Sequence, residues 1–445
     1  MVFQLSTDRL DEILSQGSGA VIGIMGLGVS GLGVAQVLSS RGLNFIGFDE
    51  RDISLPSDLA SHCVGMVRSD ALSALGGISA LFVSPGVALT HELVQEAMKR
   101  NLPVFGELEM IADCGVPCIA ITGTNGKSTT TALVAALLQG VGFDARIGGN
   151  FGTPMVCVAQ EPKPNTVLIL ELSSYQLETN TRFRPDVAVI LNLTPDHLAR
   201  HKTMEGYAAA KARILCAQTE HDVAILNGDD PLVLDMANET RAKIQTFSLK
   251  DVGAVREPPL PEHPQLLGEH NRQNAMAAFL AVEALLLKLH HPINMSDLHK
   301  FYLAFPGLEH RIEHVATVNG VRWINDSKAT NDDAAAVGVR AVPGPLVLLL
   351  GGRDKGAGYA QVLAAGHGKL RHVIAFGEAA PLVMDACRGV CEATHVASLA
   401  AAVSAASTIA KSGDAVLLSP ACSSFDEFKN FEERGHVFKS LVGAL

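Results

Sequence analysis

The sequence predicts an α/β protein built from three units in series, and three observations support that prediction. Short apolar runs alternate with longer Ala- and Leu-rich stretches, which is the strand–helix rhythm of a parallel sheet covered by helices. The rhythm restarts after residue 105 and again after residue 307. Apolar residues make up 48% and charged residues 18% of the 445 residues, which supplies enough material for buried cores and excludes a disordered chain.

Each predicted unit has its own strands and helices. Residues 1–105 have predicted strands Val21–Met25, Asn44–Phe48 and Ala80–Val83, with helices over 31–40 and 91–100. Residues 106–307 have strands over 116–121, 167–170, 187–191 and 223–226, with helices over 128–139 and 271–289. Residues 308–445 have strands over 346–350, 373–376 and 415–418, each followed by a helical pattern. The Pro-rich run 257–264 is expected to be a surface loop or an edge, because proline cannot donate to a strand ladder.

Composition also excludes several classes of protein. The net charge of -11 argues against nucleic acid binding, which requires a basic face. The 8 cysteines are too sparse for a disulfide scaffold and are expected to be reduced. No segment reaches the roughly 18 apolar residues that a membrane span requires, and the first residues show no secretory signal. We therefore expect a soluble cytoplasmic protein without membrane insertion. A monomer is a separate expectation that does not follow from composition.

A phosphate-binding loop is the strongest local signal. The run ITGTNGKST at 121–129 follows a predicted strand and precedes a helix. Its glycines let successive N–H groups point inward, its lysine can reach the β- and γ-phosphates, and its hydroxyls can hold Mg²⁺. The first glycine of the usual motif is replaced by Ile121, so the loop is a tightened variant. The central unit is thus predicted to be a P-loop ATPase-type α/β domain whose loop residues are Gly123, Thr124, Asn125, Gly126, Lys127, Ser128 and Thr129.

A second Gly-rich turn lies near the N-terminus. Gly26-Leu-Gly28-Val-Ser30-Gly31 follows a strand and opens a helix, and Asp49 closes the next strand, as in a Rossmann-like dinucleotide site. The same turn can hold any pyrophosphate or serve packing alone. Ser84-Pro85-Gly86 ends another strand and is expected at the same sheet edge, where ligands of such sheets bind.

Polar residues follow two strands of the central unit. Glu171 and Ser173 come after the strand over 167–170, and His197 comes shortly after the strand over 187–191. If the strands are parallel, these side chains share an edge with the phosphate loop and are candidate Mg²⁺ ligands. In the alternative interpretation, Glu171 caps the next helix and His197 is a surface residue. Lys211 lies on a predicted helix, and its own surroundings in the sequence indicate a solvated lysine.

Taken in order, the motifs resemble those of the Mur peptide ligases over essentially the whole chain. Besides the two glycine turns, the resemblance rests on the runs GGNFG at 148–152, LELSSYQLE at 170–178, NLTPDH at 192–197, GEHNRQNA at 268–275, GLEHR at 307–311, WINDSKATN at 323–331 and SPACSSFDEFKNF at 419–431. It is nearest to the members that add D-glutamate to UDP-N-acetylmuramoyl-L-alanine.

The resemblance implies a Rossmann-like N-terminal domain for the UDP-linked substrate, a central ATP domain, and a Rossmann-like C-terminal domain that closes on the nucleotide and binds the amino acid. It implies that the UDP-linked substrate contacts Gly28, Ser30, Arg51, Ser84, Gly86, Asn150, Ser173 and Arg200. ATP would be held by the phosphate loop together with Asn274, Arg311 and Asp326. D-Glutamate would lie near Thr330, Lys355, Ser424 and Phe431. Two Mg²⁺ ions would be held by Ser128, Thr129, Glu171, His197 and Lys211, the last of these as a carbamate.

The implied reaction is ATP-dependent amide-bond formation through an acyl phosphate, with release of ADP and phosphate and without NAD. Lys127, Glu171, His197 and Lys211 are the expected catalytic residues, and either His197 or water takes the proton from the amine. Three rival functions stay open: an NAD-dependent dehydrogenase using the first glycine turn, a non-catalytic nucleotide switch, and a sister ligase that adds another amino acid.

Overall fold

The computed structural model describes residues 10–15, 19–250, 260–356 and 358–445. The chain forms two compact units: residues 1–260 with 273–302, and residues 261–272 with 303–445. The start of the chain, where we looked for a secretory signal, lies largely outside the described residues. Residues 257–259 of the Pro-rich run 257–264 also lie outside them, and its residues 260–264 form neither helix nor strand. No helix in the described ranges is long and apolar enough to cross a membrane.

The first unit begins with a five-stranded parallel sheet of order β3-β2-β1-β4-β5. Its central strands are apolar and buried, as expected for strands covered on both faces by helices. The strands are β1 (Val21–Met25), β2 (Asn44–Phe48), β3 (Cys63–Val67), β4 (Ala80–Val83) and β5 (Val104–Phe105). The helices are α1 (Leu10–Ser15), α2 (Val29–Ser40), α3 (Ser57–Ala60), α4 (Glu92–Lys99) and a 3₁₀ turn over Leu72–Gly77.

The second sheet of this unit has six parallel strands in the order β11-β10-β9-β6-β8-β7. They are β6 (Cys118–Thr122), β7 (Asp144–Gly149), β8 (Thr166–Glu171), β9 (Val187–Ile190), β10 (Val223–Asn227) and β11 (Lys243–Phe247). The helices between residues 106 and 307 are α5 (Glu107–Ile111), α6 (Lys127–Gly140), α7 (Met155–Val158), α8 (Ser174–Leu177), α9 (Leu198–His201), α10 (Met204–Ala212), α11 (Pro231–Asp235), α12 (Glu269–Lys288) and α13 (Met295–Ala304), with 3₁₀ turns over Arg213–Leu215 and Met236–Glu239.

The second unit contains a six-stranded sheet of order β12-β13-β17-β14-β15-β16. Its strands are β12 (Glu313–Val318), β13 (Val321–Asn325), β14 (Leu346–Gly351), β15 (Leu370–Phe376), β16 (Ala393–His395) and β17 (Ala415–Leu418). The helices are α14 (Asp332–Ala341), α15 (Ala360–Ala365), α16 (Ala380–Cys387), α17 (Leu399–Ile409) and α18 (Phe431–Gly443). All pairs are parallel except β12 with β13, which forms an antiparallel edge.

The predicted α/β class with parallel sheets in series is confirmed, and the proposed boundaries near 105 and 307 stay a prediction. The sequence analysis missed mainly edge strands. β3 and β11 are half-exposed, and β12 alternates between partly buried and exposed residues, so none has the continuous apolar run of a central strand.

One continuous apolar core joins the helix faces of the first two sheets, for example through Ile24 of β1 and Leu170 of β8. Separate cores cover the two faces of the third sheet.

Candidate active site

The phosphate loop connects β6 to α6 as predicted. Gly126 adopts φ +86° and precedes the helix; an added Cβ there would collide with the side chain of Asn274. Both the left-handed backbone and the close approach therefore require glycine. Lys127 folds back onto the loop, where its Nζ donates to the carbonyl oxygens of Gly123 at 2.8 Å and Thr124 at 2.6 Å. The hydroxyl residues Ser128 and Thr129 are buried at the start of the helix.

Two residues that the sequence analysis did not single out hold this loop in place. Asn192, just after β9, accepts a hydrogen bond from the backbone N–H of Asn125 at 2.8 Å and donates to its carbonyl oxygen at 3.0 Å. The hydroxyl of Tyr207 lies 3.2 Å from Oγ1 of Thr124. Asn192 opens a run used for the family resemblance, and only its place at a strand end pointed to the loop. No local signal pointed to Tyr207.

Lys211 is buried beneath the loop, so its interpretation as a solvated lysine is wrong. Its residue is 1% exposed, and its Nζ donates to Oγ1 of Thr122 at 3.2 Å and to the carbonyl oxygen of Gly123 at 2.8 Å. Burial, followed by the nearby charge of Lys127, holds the pKa of Lys211 well below its usual value. The Lys211 side chain reaches Thr122, at the end of β6, and Gly123, which lie 89 and 88 residues earlier in the chain.

Glu171 lies at the buried end of β8, directly beside the strand that leads into the phosphate loop. One carboxylate oxygen accepts a hydrogen bond from Nδ2 of Asn150 at 2.7 Å. The other oxygen is buried and has no hydrogen-bond partner among the described residues. Glu171 does not cap the following helix: Ser173 caps α8 in a capping box with Gln176, so that alternative is wrong.

His197 begins the short helix α9 in a left-handed conformation, with φ 54°. Its ring lies 3.1 Å from the hydroxyl of Tyr175 through Nδ1 and 3.4 Å from a carboxylate oxygen of Asp196 through Nε2. Burial lowers its pKa, and the charges of Lys211 and Lys127 lower it further against the opposing effect of Asp196. The neutral imidazole, which can bind a metal ion, is therefore favoured.

A cavity of about 860 Å³ connects the N-terminal glycine turn to the polar residues of the second sheet. Most of the residues assigned by resemblance to the UDP-linked substrate line it: Gly28, Ser30, Arg51, Ser84, Gly86, Asn150 and Ser173, together with His197. Asp49 also lines the cavity and is held in place: it accepts from the N–H of Leu27 at 2.8 Å and from Nε of Arg51 at 3.0 Å.

Arg200 is the member of that set that does not line the cavity. Its guanidinium binds Glu178, with an Nη2–Oε2 distance of 2.5 Å, donates to the carbonyl oxygen of Val87 at 2.9 Å, and lies over the ring of Tyr175. Arg200 therefore links the N-terminal sheet to the second sheet. Its partner Glu178 ends the run 170–178 that carries part of the family resemblance, and no role was predicted for it.

In the second unit, Asp326 follows β13 and is buried close to Arg311. Its carboxylate accepts from the N–H of Ile312 at 3.3 Å and from the hydroxyl of Ser419 at 2.8 Å. Burial raises its pKa to about 7, although the hydrogen bond from Ser419 and the charge of Arg311 oppose that shift.

The four residues expected around D-glutamate all lie in this unit, three of them in loops and Phe431 at the start of a helix. Nζ of Lys355 lies 3.5 Å from Oγ1 of Thr330. Phe431 begins α18, and the ammonium group of Lys328 lies 5.4 Å from the centre of its ring. Ser424 is buried in the loop after β17. The sequence analysis quoted Lys328 within a motif but assigned it no role.

Comparison with known proteins connects these features. Models of the Mur ligase MurD-like N-terminal domain, the Mur ligase middle domain and the Mur ligase glutamate ligase domain match residues 20–106, 121–282 and 310–422. The UDP-N-acetylmuramoylalanine–D-glutamate ligase of Myxococcus xanthus is 40% identical over 96% of this chain and 99% of its own length. The ligase of the same description from Pelotomaculum thermopropionicum is 37% identical over 95% and 97%.

The chain belongs to the Mur ligase family. The resemblance inferred from the motifs is thereby confirmed, and this Mur ligase is an ATP-dependent enzyme that forms an amide bond. Solved structures share its fold. UDP-N-acetylmuramate–alanine ligase MurC from Thermotoga maritima has a TM-score of 0.58 at 18% identity, covering 96% of this chain and 99% of that one. MurF from Acinetobacter baumannii has a TM-score of 0.58 at 18% identity, covering 98% of both.

Proposed function

We propose that this Mur ligase joins D-glutamate to UDP-N-acetylmuramoyl-L-alanine, using ATP and releasing ADP and phosphate. The observation that carries the proposal is the single cavity that runs from the N-terminal glycine turn to Asn150, Ser173 and His197. Its volume of about 860 Å³ suits an extended sugar nucleotide, and its far end lies among the residues next to the phosphate loop. The full-length relatives named as D-glutamate ligases support the choice of amino acid.

The reaction has to activate a carboxylate, because the anion is a poor electrophile toward an amine. The alanyl carboxylate of the substrate attacks the γ-phosphorus of ATP, which gives an acyl phosphate and ADP. The amine of D-glutamate then attacks the acyl carbon, and phosphate leaves. Carboxylate and triphosphate are both anions, so the positive charge of Lys127 is needed to bring them together. His197 or water accepts the amine proton.

The residues present fit a magnesium site. The unpartnered buried oxygen of Glu171 and the hydroxyls of Ser128 and Thr129 are oxygen donors, and His197 offers a neutral imidazole. In the proposal these residues and Lys211 would hold Mg²⁺, which supplies charge neutralisation to the phosphates when bound. Lys211 can join them only as a carbamate. Its depressed pKa supports this step, because the uncharged amine is the form that adds to carbon dioxide.

The rest of the proposed site follows the same assignment. Residues 1–105 bind the UDP-linked substrate, residues 106–307 bind ATP with the help of Asn274, and residues 308–445 bind D-glutamate and, through Arg311 and Asp326, the nucleotide. A monomeric, cytoplasmic enzyme is part of the same proposal.

The test is a screen of amino acids with UDP-N-acetylmuramoyl-L-alanine and ATP, with phosphate release and the peptide product as readouts. D-Glutamate alone should support stoichiometric release of phosphate and product. Turnover with L-alanine on the unsubstituted sugar nucleotide, or with a diamino acid or dipeptide on a longer precursor, would instead assign the chain to a sister ligase. Product formation without ATP consumption would contradict the mechanism.

A further inference from the structure

Arg434, on the first turn of α18, is a fully buried arginine that the proposed chemistry does not use. Its residue is 0% exposed. Nε donates to Oγ of Ser327 at 3.0 Å, Nη1 donates to the carbonyl oxygen of Cys422 at 3.1 Å, and Nη2 donates to the carbonyl oxygens of Ser327 at 2.8 Å and Cys422 at 3.1 Å. All of these acceptors are neutral, and among the described residues no carboxylate forms a salt bridge with it.

A guanidinium in this environment is costly for stability. Burying a charge without an oppositely charged partner is unfavourable, and well-packed apolar side chains often replace buried charges without loss of stability. Burial accordingly lowers the pKa of Arg434 to about 10. An apolar residue would attach α18 to the sheet at lower cost. The presence of arginine is therefore better explained by the geometry that its planar set of donors imposes on the backbone around it.

That backbone belongs to the loops that carry the proposed D-glutamate residues. Ser327 precedes Thr330 by three residues, and Cys422 precedes Ser424 by two. A Cβ added to Gly352, three residues before Lys355, would lie 3.0 Å from Nη1 of Arg434, and this glycine adopts φ +128°. The guanidinium thus packs against three separate loops, each with one of the proposed residues.

The fourth residue, Phe431, is linked through the same contacts. Phe431 lies one turn before Arg434 on α18, and its carbonyl oxygen accepts a hydrogen bond from Oγ of Ser327 at 2.8 Å. Oγ of Ser327 therefore accepts from Arg434 and donates to Phe431. A single buried side chain therefore contacts, directly or through Ser327, the segments that carry all four proposed residues.

We infer that Arg434 is the positioning residue of the D-glutamate site: it contacts no substrate, and it holds the three loops and the start of α18 at the spacing that binding of the amino acid requires. The inference rests on the proposed function. Small displacements of binding groups lower rate and affinity by large factors. Loss of the Arg434 guanidinium should therefore appear chiefly as a higher KM for D-glutamate.

The experiment compares Arg434→Lys and Arg434→Met with Arg371→Met in the full-length enzyme. Arg371 belongs to the same unit, but it binds Asp414, with an Nε–Oδ2 distance of 2.6 Å, and forms no hydrogen bond with the three loops among the described residues. The Arg434 variants should raise the KM for D-glutamate by on the order of 10-fold or more, with Lys retaining more activity than Met. The KM values for ATP and the UDP-linked substrate should change by less than about threefold.

Formation of ADP in a single turnover without D-glutamate should stay near the wild-type level, since that step needs no bound amino acid and Asp326 keeps its own hydrogen bonds with Ile312 and Ser419. Ser327→Ala is a milder variant that removes only one hydroxyl; it should raise the KM for D-glutamate in the same direction and decides the question if the Arg434 variants do not fold. Equal increases in all three KM values, or an increase no larger than that of Arg371→Met, would overturn the inference. If the wild-type enzyme does not use D-glutamate at all, the proposed function fails first, and the inference fails with it.

Discussion

Nζ of Lys211 and the carbonyl oxygen of Gly123 are joined by a hydrogen bond of 2.8 Å directly beneath the phosphate loop. The same carbonyl oxygen accepts a second hydrogen bond, also of 2.8 Å, from Nζ of Lys127. Two lysines thus share one acceptor, and only Lys211 is buried beneath the loop. Burial and the charge of Lys127 both lower the pKa of Lys211, so its amine loses its proton more readily than that of an exposed lysine.

The first prediction concerns replacement of Lys211. Lys211→Ala should lower turnover by on the order of 10³-fold, because it removes the anionic group that carbamylation would add to the metal site. An added short carboxylate, such as acetate or propionate, should restore part of the activity. The measurement is the rate of phosphate release with and without the carboxylate.

Lys243→Ala is the matched control for this prediction, because Lys243 is exposed on β11 of the same sheet. It should keep wild-type activity and show no response to carboxylate. Full activity of Lys211→Ala, or a loss of activity that no carboxylate relieves while the circular dichroism stays native, would contradict the carbamate assignment.

The second prediction concerns Lys127. Lys127→Ala should reduce turnover to the detection limit while leaving the fold intact, because its charge is what offsets the repulsion between carboxylate and triphosphate. Product formation and thermal unfolding are to be measured on the same preparation. Phosphate release near the wild-type rate would contradict the assignment of the loop. A large fall in the melting temperature would instead show that the variant loses activity because it unfolds.

The sequence predicted the parts of this molecule that depend on local pattern. The central strands of each sheet are continuous apolar runs, and the phosphate loop combines glycines with a strand–turn–helix context. β1, β2, β4 and β17 therefore have the predicted bounds, and the loop lies where it was expected. Edge strands such as β12 are partly exposed and carry no comparable run.

The surroundings of the site could not be predicted because they depend on contacts between distant segments. The neighbours of Lys211 in the sequence predict a solvated side chain. Its burial comes from contacts of this side chain with Thr122 and Gly123, which are distant in the sequence. The same holds for Arg434, whose acceptor Ser327 lies more than a hundred residues earlier in the chain. Neither contact has a signature in the spacing of nearby residues.

The third prediction tests the contact between Asn192 and Asn125. Asn192→Ala removes two hydrogen bonds that fix the backbone of the phosphate loop, so the loop should be less well ordered for the triphosphate. The KM for ATP should rise by about 10-fold, which corresponds to about 1.4 kcal/mol of lost binding, while the KM for the UDP-linked substrate should stay within about twofold.

Asn238→Ala is a suitable control for Asn192→Ala, since Asn238 donates to the carbonyl oxygen of Asp235 at the surface. It should leave all KM values unchanged. If Asn192→Ala raised the KM values of ATP and the UDP-linked substrate by the same factor, the substitution would have disturbed the whole unit. The predicted specific effect on the phosphate loop would then be wrong.

The fourth prediction is a pH dependence that arises from Asp326. Its pKa is raised from 3.8 to about 7 by burial, so between these values the folded chain binds a proton that the unfolded chain has lost. The associated stability is fully present below about pH 4 and is lost as the pH rises through about 7. Asp326→Asn, which is neutral at every pH, should therefore become more stable relative to the wild type on going from pH 5 to pH 8.

Between pH 5 and a pKa of about 7 the interval is about two pH units, which limits this relative gain to about 3 kcal/mol, or several degrees in the melting temperature of the second unit. The measurement is the difference in melting temperature between Asp326→Asn and the wild type at pH 5 and pH 8, with Asp385→Asn as the control on an exposed carboxylate of the same unit. The control should show no such change with pH. The prediction fails if the melting temperature of Asp326→Asn minus that of the wild type is the same at pH 5 and pH 8, or is lower at pH 8. That result would mean that Arg311 and Ser419 stabilise the carboxylate enough to keep it ionised in the folded chain.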